Sequence, residues 1–555
     1  MQRWNGWGDD NIYLDLPPRG LRILHDLIGK GQGRPDYPLE KLIERIPESR
    51  LERHPLISID PKLRLDHAHG QSLPDWIGLR GGTLQQFPDG VGLPTTAEEI
   101  QELLGFAADH NAVVIPYGGG TSVVGHLEVP ETPEPVLSLS LQGFNRLTDL
   151  NSDSRLATFE AGIRGPQLED QLNSRGYTLG HYPQSFDYSS LGGWVVTRSS
   201  GQQSKHYGRI EQLFAGGDVL TPRGSLKLKP FPASAAGPDL RQVLLGSEGR
   251  MGVLTNVIVK VAPLPEKDDV YGVFFPSWER AVHAAQTLAG TDISFSLMRL
   301  SNPAETMTNL ALAGNERQTA LLSRYLRLRG ISEKNACMCL VGFTGTRRLA
   351  AVARRAAFSI IRRFKGIWVG KPMGNAWKKN RFQSAYWRNT LWDLGYAVDT
   401  LETAITWDKV SPTMEAIEQS LHAAIKSDNE RAHVFSHLSH VYPSGSSIYT
   451  TFIFRLSATP GKTLEAWKRL KQAASQTIVA AGGTISHQHG VGTDHKEYMA
   501  AEKGTIGTQM LAKMFNHLDP EHHMNPRKLL PEGRGLMTDD RGRKTDDGRR
   551  MMDDG

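Results

Sequence analysis

The chain has 555 residues, of which 39% are hydrophobic and 22% charged, and its formal net charge is +5. A chain of this length forms two or three domains. No stretch approaches the roughly 18 uninterrupted apolar residues that span a bilayer, and the N-terminus lacks the apolar core of a signal peptide. We therefore expect a cytoplasmic protein whose mild positive charge favours anionic small molecules or lipid headgroups over nucleic acid.

The first region, residues 1–85, is predicted to be a helical accessory region. Its clearest element is an amphipathic helix that includes 21–28 and ends before Gly29. The next region, residues 86–265, opens with a helix whose capping box pairs Thr96 with Glu99. This helix leads into an apolar strand, an order of elements that indicates α/β organisation.

Three glycine-bearing segments of region 86–265 are the most informative part of the sequence. Glycines adopt positive φ angles and expose N–H groups, so such loops can approach a large anionic ligand closely, although a single Gly-Gly-Gly after a strand is often only a turn. From these segments we predict the following cofactor-binding residues: Pro116, Tyr117, Gly118, Gly119, Gly120, Thr121, Ser122, Gln184, Ser185, Ser189, Ser190, Thr197, Arg198, Ser199, Ser200, Glu248, Gly249, Gly252 and Val253.

The order and content of the three loops resemble the FAD-binding domain of the vanillyl-alcohol oxidase and p-cresol methylhydroxylase superfamily, and within it the alkyldihydroxyacetonephosphate synthase family. The resemblance implies an α+β fold, with a two-subdomain FAD-binding domain of the p-cresol methylhydroxylase type and an α+β cap whose antiparallel sheet covers the flavin. Many relatives bind FAD covalently through a histidine or cysteine near the first loop. Neither occurs from Pro116 to Ser122, although His126 follows, so we predict non-covalent FAD. The second loop departs from the family at Gln184, where an aspartate is usual.

Residues 266–530 are predicted to form the cap, or substrate-binding domain, with a C-terminal return segment, because helices and strands alternate there without glycine loops. In residues 531–555 acidic and basic side chains alternate and few apolar side chains are available for burial, which predicts a disordered tail. Cys337 and Cys339 share one face of a predicted strand. Two thiols are too few for a zinc site, so we expect buried free cysteines and no metal.

A stretch with paired arginines, residues 347–363, predicts an amphipathic helix in the cap. Such a helix either lies on an anionic membrane or packs on the core with a solvated basic face, and both interpretations stay open. Its predicted apolar stripe consists of Leu349, Val352, Ala353, Ala356, Ile360 and Ile361.

Residues 486–492 carry two histidines, His487 and His489. In an extended segment, side chains two residues apart point the same way, and the glycines that follow permit close approach to a ring. A metal interpretation lacks a third ligand. The resemblance implies that both histidines are catalytic, but the family carries three consecutive histidines here. The middle position in this chain is Gln488, which cannot carry a proton at neutral pH.

Tyr449 matches the catalytic tyrosine of the resembled family, within the strand-like segment 446–452. Alternation along the strand places Tyr449 on the face opposite Ile448 and Thr450. That position suits a residue that lines a cavity and equally an ordinary sheet tyrosine. The resemblance implies a role as acid.

Two arginines and two histidines complete the predicted site. Arg388 matches the arginine with which the family binds its acyl substrate, and Arg299 matches an arginine that acts through the flavin environment. For either one, an ordinary ion pair is the alternative. His437 and His440 precede Tyr449 in the sequence and are predicted to reach the same cavity and contact substrate.

The resemblance implies an FAD-dependent transferase of ether lipid synthesis, which exchanges the acyl group of acyl-dihydroxyacetone phosphate for a fatty alcohol. The alternative is an FAD-linked dehydrogenase or oxidase of a 2-hydroxy acid or a glycerol phosphate-like substrate. Gln488 favours this alternative, whereas Tyr449 and Arg388 favour the transferase. A flavin-binding scaffold without turnover is a third interpretation. We expect a lipid-like or anionic substrate, peripheral membrane contact, a homodimer and no nucleic acid.

Overall fold

The structure of the protein is a computed structural model, and it describes residues 2–313, 316–426 and 430–531. Of the predicted tail, only Pro531 lies within these ranges. The first region contributes α1 (Pro18–Ile28), α2 (Leu39–Ile43), β1 (Ile57–Ser58), α3 (Pro61–Asp66) and α4 (Leu73–Arg80). As predicted, α1 ends before Gly29, whose φ is 83°.

The second region contains β2 (Gly90–Gly92), α5 (Ala97–Asp109), β3 (Val113–Tyr117), β4 (Val136–Ser140), β5 (Leu147–Asn151), β6 (Leu156–Glu160), α6 (Gly165–Asn173), β7 (Tyr177–Thr178), α7 (Leu191–Thr197), α8 (Ser204–Tyr207), α9 (Ile210–Leu213), β8 (Phe214–Thr221), β9 (Gly224–Leu228), α10 (Arg241–Leu244), β10 (Val253–Lys260) and β11 (Ala262–Pro263). The capping box of Thr96 and Glu99 is confirmed at the start of α5.

Two larger sheets form two subdomains of the second region, the first of them together with β1 of the first region, and β7 pairs with β11 in a two-stranded sheet. The first has the order β1-β2-β4-β3, and its β2, β3 and β4 run parallel. The second has the order β5-β6-β10-β8-β9 and is antiparallel. The glycine loops leave β3 and precede β10, so they meet where the two sheets come together.

The cap contains β12 (Lys267–Phe275), α11 (Trp278–Ala289), β13 (Leu297–Ser301), α12 (Pro303–Leu312), α13 (Glu316–Leu328), β14 (Cys337–Gly345), α14 (Arg347–Arg363), β15 (Ile367–Gly370), α15 (Pro372–Asn380), α16 (Trp387–Asp393), β16 (Tyr396–Thr406), α17 (Trp407–Lys426), β17 (Ala432–Leu438), β18 (Val441–Tyr442), β19 (Gly445–Arg455), α18 (Pro460–Ala481) and α19 (Met499–Leu518).

The cap strands form one antiparallel sheet in the order β15-β12-β14-β13-β17-β19-β16, with β18 paired to β19. Apolar residues of β12, β13 and β14 pack against α11 and α14 in one core, and those of β16, β17 and β19 pack against α17 and α18 in another. Cys337 and Cys339 lie buried on β14 as free thiols, as predicted.

Helix α14 forms where the arginine pairs predict it, but the predicted apolar stripe matches its buried face only in part. The residues it buries against the cap core are Ala350, Ala353, Ala357 and Ile361. Leu349 and Val352 are instead 67% and 58% exposed, because they lie on the arginine-bearing face. The helix therefore has a packed face and a mixed basic and apolar surface face.

The C-terminal return segment closes the molecule against the second region. Met524 forms a parallel bridge with Val114 of β3, and Asn525 donates its backbone N–H to the Val114 carbonyl at 2.8 Å. The end of the cap therefore lies beside the strand that leads into the first glycine loop.

Candidate active site

A cavity of about 510 Å³ lies between the glycine loops and the cap sheet. The predicted cofactor-binding residues line it, with three exceptions. The Tyr117 hydroxyl donates to the Asp66 carbonyl at 2.9 Å, Arg198 donates to the Gln242 side chain at 3.0 Å, and Val253 lies in the hydrophobic core. These three support the loops from behind.

The first loop fits tightly against the second. A Cβ on Gly118 would collide with the Ser190 hydroxyl, and one on Gly119 would collide with the Tyr188 carbonyl. Gly120 has φ 70°, a conformation that side-chain-bearing residues rarely adopt. Packing against backbone requires glycine at 119 and the positive φ favours it at 120, and the run of three glycines leaves the loop backbone open to the cavity.

The third loop is joined to the histidine segment of the cap through Glu248. One carboxylate oxygen accepts the Val491 N–H at 2.6 Å, and the other accepts the Gly492 N–H at 2.9 Å. The His126 ring approaches the same carboxylate at 3.0 Å. Glu248, predicted only as a cofactor contact, thus fixes the backbone that follows His489.

Several polar atoms at the cavity wall are buried without a hydrogen-bond partner among the described residues. On the side of the glycine loops they include the Ser200 hydroxyl and the side-chain oxygen of Asn525. Small hydroxyls, an amide and unobstructed glycine backbone are the groups that hold a pyrophosphate and a polyhydroxyl chain. The residues present on this side of the cavity therefore fit FAD.

Tyr449 lies on the cavity face of β19 between two imidazoles. Its ring stacks on His437 with centroids 4.9 Å apart and meets His489 edge-on at 5.6 Å. Ile448 on the opposite face belongs to the core, as the predicted alternation requires. Burial raises the pKa of Tyr449 to about 12, so the phenol stays protonated and can donate a hydrogen bond.

The prediction that His487 and His489 point the same way is wrong. His489 lines the cavity, whereas His487 turns behind it, where its Nε2 accepts from Arg209 at 2.6 Å and from the Tyr442 hydroxyl at 2.7 Å. Burial and the adjacent guanidinium hold the pKa of His487 well below its ordinary value. His487 is therefore a neutral support for the wall and does not face the cavity.

The reason is that the segment bends around a buried carboxylate instead of running as a strand. Glu402 accepts the backbone N–H groups of Gln488 at 2.6 Å and His489 at 2.7 Å. Gln488 faces the cavity, and its side-chain oxygen is buried without a partner in the described part of the chain. The family's middle histidine position is thus occupied here by an amide free to meet a ligand.

Arg388 projects from α16 into the cavity, as predicted for a substrate contact. It donates to the Gln71 carbonyl at 2.8 Å and lies 4.3 Å from the centre of the Trp76 ring. Within the described ranges Arg388 has no ion pair. Burial lowers the pKa of its guanidinium, which nevertheless stays charged. A buried cation without a counterion suits a carboxylate or phosphate ligand.

The remaining predicted residues also reach the cavity. Arg299 lies on β13, where it donates to Glu305 at 2.6 Å. His437 lines the wall beside it, and His440 approaches the Gly201 carbonyl at 3.1 Å. Arg299, predicted as a cofactor contact, therefore stands in the cap wall beside the histidines.

One end of the cavity is apolar. Its wall is formed by α1 with the residue Leu16 before it, by α12, by α16 and by the cap sheet. The apolar residues are Leu16, Ile23, Leu24, Leu312, Leu391, Val398, Phe435 and Ile453. The sequence predicted α1 as an amphipathic helix but gave no signal that its apolar face borders a ligand space.

Three functional residues were missed: Glu305, Glu402 and Asn525. Acidic and amide side chains are frequent on protein surfaces, and nothing in the local sequence marks these as buried.

In the residues that the structure describes, no group of three metal-binding side chains converges. Over the same ranges, no helix is both long and apolar enough to cross a membrane.

Known protein families, individual proteins and a solved structure resemble this chain over most of its length. A family profile described as "FAD binding domain" matches residues 88–228, and one described as "FAD linked oxidases, C-terminal domain" matches residues 264–529. The chain is 31% identical to an alkyldihydroxyacetonephosphate synthase of Dictyostelium discoideum over 95% of this chain and 93% of that protein. It is also 31% identical to one of Caenorhabditis elegans over 93% of each chain. A solved alkyldihydroxyacetonephosphate synthase structure superposes with a TM-score of 0.81 at 28% identity, covering 95% of this chain and 99% of that one.

Proposed function

The chain belongs to the alkyldihydroxyacetonephosphate synthase family, and we propose that it is an FAD-dependent transferase that replaces the acyl group of acyl-dihydroxyacetone phosphate with a fatty alcohol. The observation that carries this proposal is one continuous cavity, which joins the glycine loops, an ionisable cluster and an apolar end. An aliphatic chain fills an apolar space favourably, whereas a small hydroxy acid would leave it unused.

FAD is held by the glycine loops together with Ser200 and Asn525. When bound, it supplies an isoalloxazine ring able to accept and return electron density during substitution at the substrate carbon. The proposal includes FAD that is bound to the protein without a covalent link. His126, which follows the first loop, has one ring nitrogen 2.8 Å from the Ser122 hydroxyl and the other 3.0 Å from Glu248, which favours a supporting role.

The proposed exchange needs no net oxidation. The ester C–O bond to the acyl group breaks and the fatty acid leaves as a carboxylate, while the alcohol oxygen forms the ether bond and loses its proton. Tyr449, protonated because its pKa is raised to about 12, donates a hydrogen bond to the departing carboxylate. Arg388 binds the phosphate or carboxylate charge, and His489 borders the same space as a neutral imidazole, since burial lowers its pKa.

The direct test mixes the purified yellow protein anaerobically with palmitoyl-dihydroxyacetone phosphate and then with hexadecanol. We expect release of palmitate and formation of the alkyl ether with no electron acceptor present, measured by mass spectrometry together with the flavin absorbance. A parallel series uses glycerol 3-phosphate and 2-hydroxy acids. Flavin reduction by one of these that only an electron acceptor reverses, without ether formation, would show a dehydrogenase instead.

Three further expectations belong to this proposal. We propose a cytoplasmic homodimer that touches membranes peripherally, as suits a lipid-like substrate. Support for membrane contact comes from α14, where the exposed Leu349 and Val352 lie among arginines. Sedimentation with anionic vesicles tests the contact, and light scattering tests the dimer.

A further inference from the structure

A buried carboxylate lies behind the ionisable cluster. Glu305 sits in the first turn of α12, where the Asn302 side chain caps the helix by accepting its backbone N–H at 2.8 Å. Only 3% of the Glu305 side chain is exposed. A single oxygen, Oε1, lies 2.6 Å from an Arg299 nitrogen and 2.9 Å from His437 Nδ1.

The contacts of Glu305 fix its charge. Burial acts to raise the pKa of this carboxyl, but Arg299 and His437 hold it well below its ordinary value. Glu305 is therefore ionised and can only accept hydrogen bonds. An Arg299 nitrogen also lies 3.3 Å from His437 Nδ1, but that nitrogen is bonded more closely to Glu305. The shorter contact of Nδ1 with the ionised carboxylate therefore assigns the proton of His437 to Nδ1.

This tautomer leaves His437 Nε2 as a bare acceptor. Nε2 makes no hydrogen bond to the described residues, and the ring borders the cavity and stacks on Tyr449. Burial and the Arg299 guanidinium lower the pKa of His437, so the ring is neutral at physiological pH. A neutral imidazole with one nitrogen fixed by a carboxylate and the other open to the ligand is arranged as a general base.

We propose that His437 is the catalytic base that takes the hydroxyl proton of the incoming fatty alcohol, and that Glu305 is the residue that positions it. The inference rests on the proposed function. As the alcohol oxygen forms the ether C–O bond, its O–H bond breaks and the proton passes to His437 Nε2. The imidazolium later returns that proton to the released carboxylate or to water, so atoms and charge balance without an oxidant.

The other histidines of the cavity are less suited to this role. His433 Nε2 is 2.9 Å from the Thr308 hydroxyl, and His440 places Nε2 on a backbone carbonyl. His489 Nδ1 lies 3.6 Å from the nearest carboxylate, too far for a hydrogen bond that would fix its tautomer. In the described part of the cavity, His437 combines a bonded Nδ1 with an open Nε2.

The first experiment uses the FAD-loaded His437→Ala protein, with His433→Ala as the control. We expect His437→Ala to lower kcat by about 10²–10⁴-fold, with little change in KM for either substrate. Added imidazole should restore part of the turnover of His437→Ala, because it can enter the vacated space. Imidazole should not raise whatever turnover His433→Ala retains. His437→Gln, of similar size, guards against a folding defect in the alanine variant.

The second experiment addresses Glu305. Glu305→Leu removes the acceptor, so kcat should fall, and nitrogen NMR of labelled histidine should show His437 losing its fixed Nδ1–H tautomer. Glu305→Gln keeps an acceptor oxygen and should recover much of both. The His437 signal is assigned by its absence from the His437→Gln spectrum.

The outcomes separate this inference from the proposed function. If the wild-type protein forms no ether product, the proposed function fails whatever the variants do. A second outcome is that the wild-type protein is active and that the His437 variants, correctly folded and loaded with FAD, keep more than about a tenth of its kcat. In that case His437 is not the base. Loss of turnover that imidazole cannot restore, or an unchanged tautomer in Glu305→Leu, likewise overturns the proposal.

Discussion

The two walls of the cavity are built on different principles. The wall from the second region presents backbone and small hydroxyls on loops, such as Gly119 and Ser200. The cap wall presents ionisable side chains such as Tyr449, His437 and Arg388, held on strands and a helix. Backbone groups bind a ligand of fixed shape, whereas ionisable side chains can move protons. Binding of the cofactor and chemistry on the substrate are therefore assigned to opposite walls and should be separable by mutation.

The largest expected effect follows from Gly119→Ala. Its Cβ would collide with the Tyr188 carbonyl, so the first loop must move away from the second. We expect the purified protein to be colourless and to regain no flavin absorbance on incubation with FAD. Gly105→Ala, in α5 where a Cβ meets open space, is the control and should stay yellow. A yellow Gly119→Ala protein would show that the loop packing is not needed for cofactor binding.

Tyr449→Phe should have the opposite pattern. It removes the hydroxyl that assists departure of the carboxylate but keeps the ring stacked on His437, so FAD content should match wild type. We expect kcat to fall by about 10²–10⁴-fold in the fatty-acid release assay. Tyr442→Phe removes a phenol that faces His487 behind the wall and serves as a control of similar chemistry. A large loss of FAD in Tyr449→Phe would contradict the separation of the two walls.

Acid should destabilise the cap through its buried histidines. Burial lowers the pKa of His433 and of His440 from 6.5 to about 4. The unfolded chain therefore takes up protons near pH 6.5 while the folded one does not, so the two histidines make their full contribution to the free energy of unfolding above that pH. As the pH falls toward 4, the free energy of unfolding should decrease by about 3 kcal/mol for each of the two histidines.

Thermal unfolding measured from pH 7.5 to 4.5 tests this sign. His433→Asn should have a flatter dependence of Tm on pH than the wild-type protein, since one of the protons that favour unfolding is gone. His517→Asn, at an exposed site on α19, should leave the slope unchanged. A wild-type Tm that rises on acidification would contradict the assignment of these rings as neutral.

The smallest expected effect concerns the surface of α14. Replacing Leu349 and Val352 by glutamate should change the free energy of unfolding by no more than about 0.5 kcal/mol per site, because both side chains are exposed. Sedimentation with anionic vesicles should decrease, since apolar area and favourable charge are both lost. Ile506→Glu, an exposed apolar site on α19, is the matched control. Equal vesicle binding by all three proteins would remove the support for membrane contact through α14.

Much of the fold follows from local patterns. The capping box of Thr96, the end of α1 at Gly29 and the burial of both cysteines on β14 were all predicted correctly. Each depends on contacts within a few residues or on a simple alternation of burial. The stripe of α14 was wrong at Leu349 and Val352 because the width of a buried helix face depends on the sheet that covers it.

The site shows the same limit. Alternation along a strand places Tyr449 toward the cavity, and this holds because β19 is a regular strand. The same rule fails at His487, since the segment bends to bring two backbone N–H groups onto Glu402. Glu402 is more than eighty residues away in the chain, so no local pattern announces it.

The sequence by itself determined that the chain holds an FAD-type set of glycine loops, a cap rich in strands and the order of chemical groups along them. These features reside in short stretches whose backbone freedom and side-chain chemistry are local properties. Only the tertiary structure decided which ionisable groups share the cavity and which tautomer His437 has. Glu305 reaches His437 from another element, and a buried carboxylate acts on a ring only through distance, burial and the direction of its lone pairs.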